Sequence, residues 1–158
     1  MTGKGRLRTV IAGGLVAGAL DIVDAFVFWA WKADVPAMRI GQSIAGGLLG
    51  EAASRGGWAT FSLGMVAHFA MTVVMALAFY AVARLAPVVA RHGLAFGAVY
   101  GAMVYAIMTY LVVPLSLATV GQNPHYPPNI DLVFINAIFA HVVLVGMVIG
   151  YFTKRAIR

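Results

Sequence analysis

The amino-acid sequence predicts an all-α membrane bundle of four transmembrane helices, with a short extra helix on the outer face. Three observations carry that reading. First, 62% of the 158 residues are hydrophobic and 10% are charged, against about 45–50% and about 25% in a soluble domain. A mean hydropathy of +0.91 is more apolar surface than a water-soluble core of this length can hide, so the solvent is lipid. Second, the apolar residues fall into four runs, at about 10–31, 61–83, 93–113 and 132–152, each long enough to cross hydrocarbon. Third, most of the cations gather at alternate ends of those runs, where they set orientation. The whole of 1–158 then reads as one membrane domain.

The same totals exclude several function classes. A formal charge of +6 could suggest nucleic acid, but no stretch has the spaced basic and aromatic residues of a nucleic-acid surface, and no such partner is expected. The chain has no cysteine, which removes thiol redox chemistry, thiolate metal sites and internal disulfides. No serine sits in a nucleophile motif such as GxSxG, and an enzyme is not expected.

The first span follows Lys4, Arg6 and Arg8. Its apolar run is longer than a signal-peptide core and is flanked by Trp29 and Trp31, so it reads as an uncleaved helix. Gly14 and Gly18 form a GxxxG that lets another helix come close. Asp21 lies about 20° from Gly14 around the helix, on that seam, and Asp24 about 80° away, at its edge. A carboxylate at this depth is costly and calls for a partner.

Residues 32 to 59 form a long connection. Asp34 can cap a helix with Pro36 in its first turn. Ile40, Ile44 and Leu48 recur at helical spacing, and Glu51 precedes Arg55 by four, the favourable order for an ion pair. About 35–55 thus reads as an amphipathic or re-entrant segment, ended by Gly56-Gly57.

The second span holds His68, and Arg84, Pro87 and Arg91 make a basic turn after it. The third span opens with Gly93, Gly97 and Gly101, a double GxxxG, and carries Tyr105 about 40° from Gly101. Residues 117 to 130 are polar and proline-rich and predict an extended loop, with Asp131 suited to start the next helix. The fourth span contains Asn136, His141 and a further GxxxG at Gly146 and Gly150. His141 faces about 140° away from Gly146 in an α-helix, so that glycine seam suits a homo-oligomer contact or packing on a different helix.

Placing the N-terminus in the cytoplasm puts Lys4, Arg6, Arg8, Arg84, Arg91, Lys154, Arg155 and Arg158 inside, and only Lys32, Arg39 and Arg55 outside. The positive-inside rule therefore predicts both termini cytoplasmic in a multi-pass bacterial inner-membrane protein whose main partner is the lipid bilayer. The two hairpins also rhyme: GLVAGA from Gly14 against GAVYGA from Gly97, and VAHF around His68 against FAHV around His141. Such a relation is a parallel repeat about the membrane normal.

Counting about 1.5 Å of rise per residue puts Asp21, Asp24, His68, Tyr105 and His141 at one level in the outer half of the bundle. This polar layer is the candidate site. Its sharpest reading is the binding or carriage of a proton or small cation, with Asp21 as coupling acid and a histidine as relay. The rival is a structural or partner-binding subunit in which the same contacts only fix helix packing. Minor alternatives are haem b held by His68 and His141, or a divalent metal at those histidines; no cofactor is expected. His92 and His125 read as interfacial residues.

Gly14 and Gly18, Pro36 and Arg39, His68-Phe69, Tyr80 and Pro87, Phe96-Gly97 with Gly101, Pro114-Leu115 and His141 before a basic C-terminus together form a familiar pattern. The chain resembles the YagU-like family of small bacterial inner-membrane proteins over most of its length. The resemblance implies a polytopic inner-membrane protein with no established reaction. Asp21 and Asp24 are not part of that pattern, which moves weight to His68 and His141.

Overall fold

The computed structural model describes residues 2–158. The described residues are helical, with no strand. We label the helices α1 (Gly3–Ala33), α2 (Ala37–Leu49), α3 (Gly57–Leu85), α4 (Pro87–Arg91), α5 (Gly93–Leu115) and α6 (Leu132–Ile157). Four of them, α1, α3, α5 and α6, are long and apolar enough to cross a membrane, as the hydropathy predicts.

Each long helix extends past its apolar run because its ends are polar but helix-compatible. In α1, the Thr2 hydroxyl accepts from the Gly5 amide and starts the helix ahead of Lys4, Arg6 and Arg8. Asp131 starts α6 in the same way, accepting from the Phe134 amide at 2.8 Å.

The connection from α1 to α3 departs from the sequence expectation in detail. Asp34 does not cap α2. It ends α1 in the left-handed region at φ 53°, a conformation that Asp tolerates better than most residues. Pro36 then precedes α2 with extended backbone. The stripe of α2 that buries is Gly41, Gln42, Ala45 and Gly46, while Leu48 stays exposed. Small residues let α2 lie directly on the start of α3, where a side chain at Gly64 would meet the Gly41 carbonyl. Residues Gly50–Arg55 continue as a 3₁₀ turn. Its tighter winding takes residues four apart off a common face, and Glu51 and Arg55 form no ion pair.

α1 lies between α3 and α6, and α5 lies on α6. Gly14 and Gly18 pack on α3, against Val73 and Thr72 and against Thr72 and Phe69 respectively. α3 and α5 meet through Tyr100, whose hydroxyl donates to the Met75 carbonyl at 3.0 Å. The start of α1 meets the end of α6, Gly13 against Phe152, so both chain ends lie at one end of the bundle. A core of Val10, Ala17, Ala76, Phe79, Val145 and Ile149 fills that half. Residues such as Val23, Val27, Val66 and Val74 face outward and exposed, as lipid-facing positions do.

The glycines of α6 do not form a free seam. Gly146 and Gly150 sit against Gly97 and Gly93 of α5, and Gly101 meets the His141 carbonyl. Residues Ala140–Met147 are wound as π-helix, with i→i+5 hydrogen bonds. The wider turn brings Gly146 back under His141, where α-helical counting separates them, and both meet α5. This contact is backbone on backbone within one chain, so the Gly146/Gly150 seam is not presented to a second copy.

All five acidic side chains lie in or beyond the half away from the chain ends: Asp21 and Asp24 in α1, then Asp34, Glu51 and Asp131. Eight of the eleven cations lie at the other end. We call these the acidic and basic ends.

Candidate functional site: a polar cavity between the spans

Asp21 of α1, His68 of α3 and His141 of α6 line one cavity of about 70 Å³, with Met71, Thr72, Met75, Val104, Met108 and Val145 completing the wall. A polar cavity of this size holds a few waters. Its position follows from the glycine contacts. Gly18 brings α1 close enough to α3 for its carbonyl to accept from His68 Nε2 at 2.9 Å. Gly101 brings α5 onto the backbone of His141.

The proton positions follow from the acceptors. A carbonyl oxygen can only accept, so Nε2 of His68 carries a hydrogen. His141 Nδ1 lies 2.9 Å from the Ala137 carbonyl of its own helix and carries one as well. Each neutral ring therefore keeps one nitrogen lone pair able to take a proton. Asp21 Oδ2 lies 3.9 Å from His68 Nε2, beyond direct hydrogen-bond range. Among the described residues the Asp21 carboxylate makes no direct hydrogen bond. It lies within reach of a histidine and beside a cavity able to hold water.

The five residues of the predicted layer thus divide. Asp21, His68 and His141 converge. Asp24 does not join them; its Oδ2 accepts from Asn136 Nδ2 of α6 at 2.9 Å. Tyr105 sets its ring edge-on to His141 at 5.6 Å and to Phe134 at 5.9 Å, but it lines a different cavity. That cleft, about 180 Å³, lies at the acidic end between α5, α6 and the proline-rich loop, with Tyr110, His125 and Asp131 on its wall. Tyr105 and His141 therefore stand between the outer cleft and the inner cavity. Towards the basic end, Val10, Ala17, Phe79 and Ile149 close the bundle with hydrocarbon.

Sequence reasoning missed two members of this region. Asn136 is a polar residue in an apolar run, at a depth matching Asp24, but it carries no charge to mark it as the partner of a carboxylate. Thr72 lies one helical turn after His68 and lines the same cavity. Its hydroxyl donates to the Phe69 carbonyl at 3.0 Å.

The cavity does not fit a porphyrin: a space of about 70 Å³ cannot hold the ring. Nor do three His, Asp or Glu side chains converge on one point in metal-holding geometry among the described residues.

The fold and the cavity define a class: a four-span membrane-type helical bundle with a titratable pocket between its spans. No family model, no curated protein and no solved structure matches the chain.

Proposed function

We propose that the chain is an integral protein of the bacterial inner membrane that binds and carries a proton at Asp21, His68 and His141. The observation that carries this reading is the Asp21 carboxylate, which lies in a water-sized cavity with no direct hydrogen bond and a histidine 3.9 Å away. Half-buried within a membrane span, such a group is stable when neutral or when facing a cation. A proton moving between Asp21 and a histidine supplies either state without moving a helix. The outer cleft, with Tyr105 on its wall and His141 edge-on behind that ring, is the side from which the proton enters. Hydrocarbon fills the bundle towards the basic end, so the proton crosses when that core parts, and flux is the readout of the proposed carriage.

Orientation follows from charge. With eight cations at the end that holds both termini and all five acids towards the other, the basic end faces the cytoplasm. Membership of the YagU-like family belongs to the same proposal and rests on the motifs quoted above.

The rival reading, a structural subunit, is favoured by one observation: both histidines already donate to backbone carbonyls, and Asp24 is paired with Asn136. One experiment separates the two. Protein reconstituted in liposomes with a trapped pH dye is compared with Asp21→Asn. Proton binding coupled to transport predicts a proton-dependent flux that falls at least about tenfold in the variant, with unchanged thermal unfolding. A structural role predicts no flux in either form and a lower unfolding temperature for the variant.

A further inference from the structure

The basic end carries a second concave surface that the polar cavity does not involve. α4 and the end of α6 enclose an open groove of about 540 Å³ lined by Ala90, Arg91, His92, Lys154, Ile157 and Arg158. The groove is built by a close approach. Gly93 lies against the Gly150 carbonyl, and a side chain there would meet Cβ of Lys154 at 2.9 Å, so its absence sets Arg91 and His92 beside Lys154. No Asp or Glu lies at this end of the bundle. Among the described residues none of these cations is in an ion pair. Three cationic side chains and a histidine thus converge with no Asp or Glu side chain to neutralise them.

The surroundings indicate what does neutralise them. Ala90 and Ile157 give the groove apolar walls. Leu85 and Val88, in the turn beside it, are 88% and 54% exposed, and Leu94 is exposed on the next turn. Large apolar side chains alongside cations at the end of a span mark the boundary between headgroups and acyl chains. A soluble anion has no use for that apolar rim, whereas a lipid does: its phosphate meets the cations and its chains lie along Leu85, Val88 and Leu94.

We propose that this groove is a binding site for the phosphate of an anionic phospholipid, held by Arg91, Lys154 and Arg158 with its acyl chains against the α3–α5 turn. Basic pockets between membrane helices on the cytoplasmic side are suited to such headgroups, and guanidinium groups match phosphate oxygens in paired hydrogen bonds.

The test uses the full chain purified from vesicles of phosphatidylcholine and phosphatidylglycerol with matched acyl chains, with retained lipid counted by native mass spectrometry. Phosphatidylglycerol is expected to be retained in preference. The double variant Arg91→Gln with Arg158→Gln is expected to lose that preference by roughly tenfold or more. Arg84→Gln with Arg155→Gln, which removes the same charge from the same end outside the groove, is expected to change it less than about threefold. Arg91→Lys with Arg158→Lys is expected to keep most of it. Equal retention of the two lipids, equal losses in the two Gln pairs, or a Lys pair as weak as the groove Gln pair would each overturn the site. Inorganic phosphate that displaces phosphatidylglycerol at equal concentration would overturn the lipid assignment in favour of a soluble phosphate.

Discussion

In the hairpin of α1 and α3, Gly18 offers its carbonyl to the ring of His68. In the hairpin of α5 and α6, Gly101 lies against the carbonyl of His141. The second glycine of each GxxxG thus meets the histidine of the following helix, which is the relation a parallel repeat requires. The cavity wall repeats the pattern. Three residues after those glycines come Asp21 and Val104, and four after the histidines come Thr72 and Val145; all four line the cavity. One hairpin supplies a carboxylate and a hydroxyl where the other supplies two valines. The comparison teaches how two similar hairpins contribute unequally to one site: each supplies a histidine, and only the first adds a carboxylate and a hydroxyl.

The hairpins also differ in how they are held. The first packs on backbone at Gly14, against Val73 and the Thr72 carbonyl, but on side chains, Thr72 and Phe69, at Gly18. The second packs backbone on backbone, with π-turns in both helices, at Met108–Val112 and Ala140–Met147. The largest expected effect exploits this. A Cβ at Gly101 would collide with the His141 carbonyl, and neither backbone can turn aside. A Cβ at Gly18 meets the Thr72 hydroxyl at 2.6 Å and the Phe69 ring at 3.0 Å, both movable. Gly101→Ala is therefore expected to cost about 3 kcal/mol or to block assembly, and Gly18→Ala about 1 kcal/mol. Unfolding temperatures in one detergent check this, and equal shifts would break the comparison.

A smaller effect separates the histidines. His68 bonds across to another helix, while His141 bonds to its own. His68→Phe removes an interhelical bond worth about 0.6–1.7 kcal/mol. His141→Phe leaves the helix pair held by its glycines and is expected to cost less than about half of that. The same thermal measurement decides, and a larger loss at His141 would mean that its ring, not the glycine contact, holds the second hairpin.

Much of this was legible in the residues because the bilayer imposes strict rules. Four apolar runs, cation asymmetry and small-residue seams gave the spans and their pairing surfaces. Asp21, His68 and His141 stood out because ionisable groups are rare in hydrocarbon. Three things were hidden for physical reasons. The π-turns have no residue signature, and they shift the phase of His141 against Gly146; of the two roles the α6 seam suits, packing on another helix is the one its glycine contacts fill. Asp34 before Val35-Pro36 is compatible both with ending one helix and with starting the next. Asn136 carries no charge, so its residue type alone does not mark it as the group that partners Asp24.

That last pair gives the smallest effect and the finest test of which acid matters. Asp24 has a complete direct partner in Asn136, whereas Asp21 has only a distant histidine. If Asp24 is an interhelical staple, Asp24→Leu and Asn136→Leu should each destabilise modestly, and the double variant should cost less than their sum. The expected coupling is about 0.6 kcal/mol, the usual size for a hydrogen bond between membrane helices. Steric trapping forces reversible unfolding of the bundle and reads that energy directly. Strict additivity would show that the 2.9 Å contact contributes nothing to stability, and Asp24 would rejoin Asp21 as a candidate for the proton site. Coupling of the expected size, with proton flux unchanged in Asn136→Leu, would leave Asp21 as the one carboxylate in the spans whose partner is not a neighbouring side-chain amide but the cavity itself.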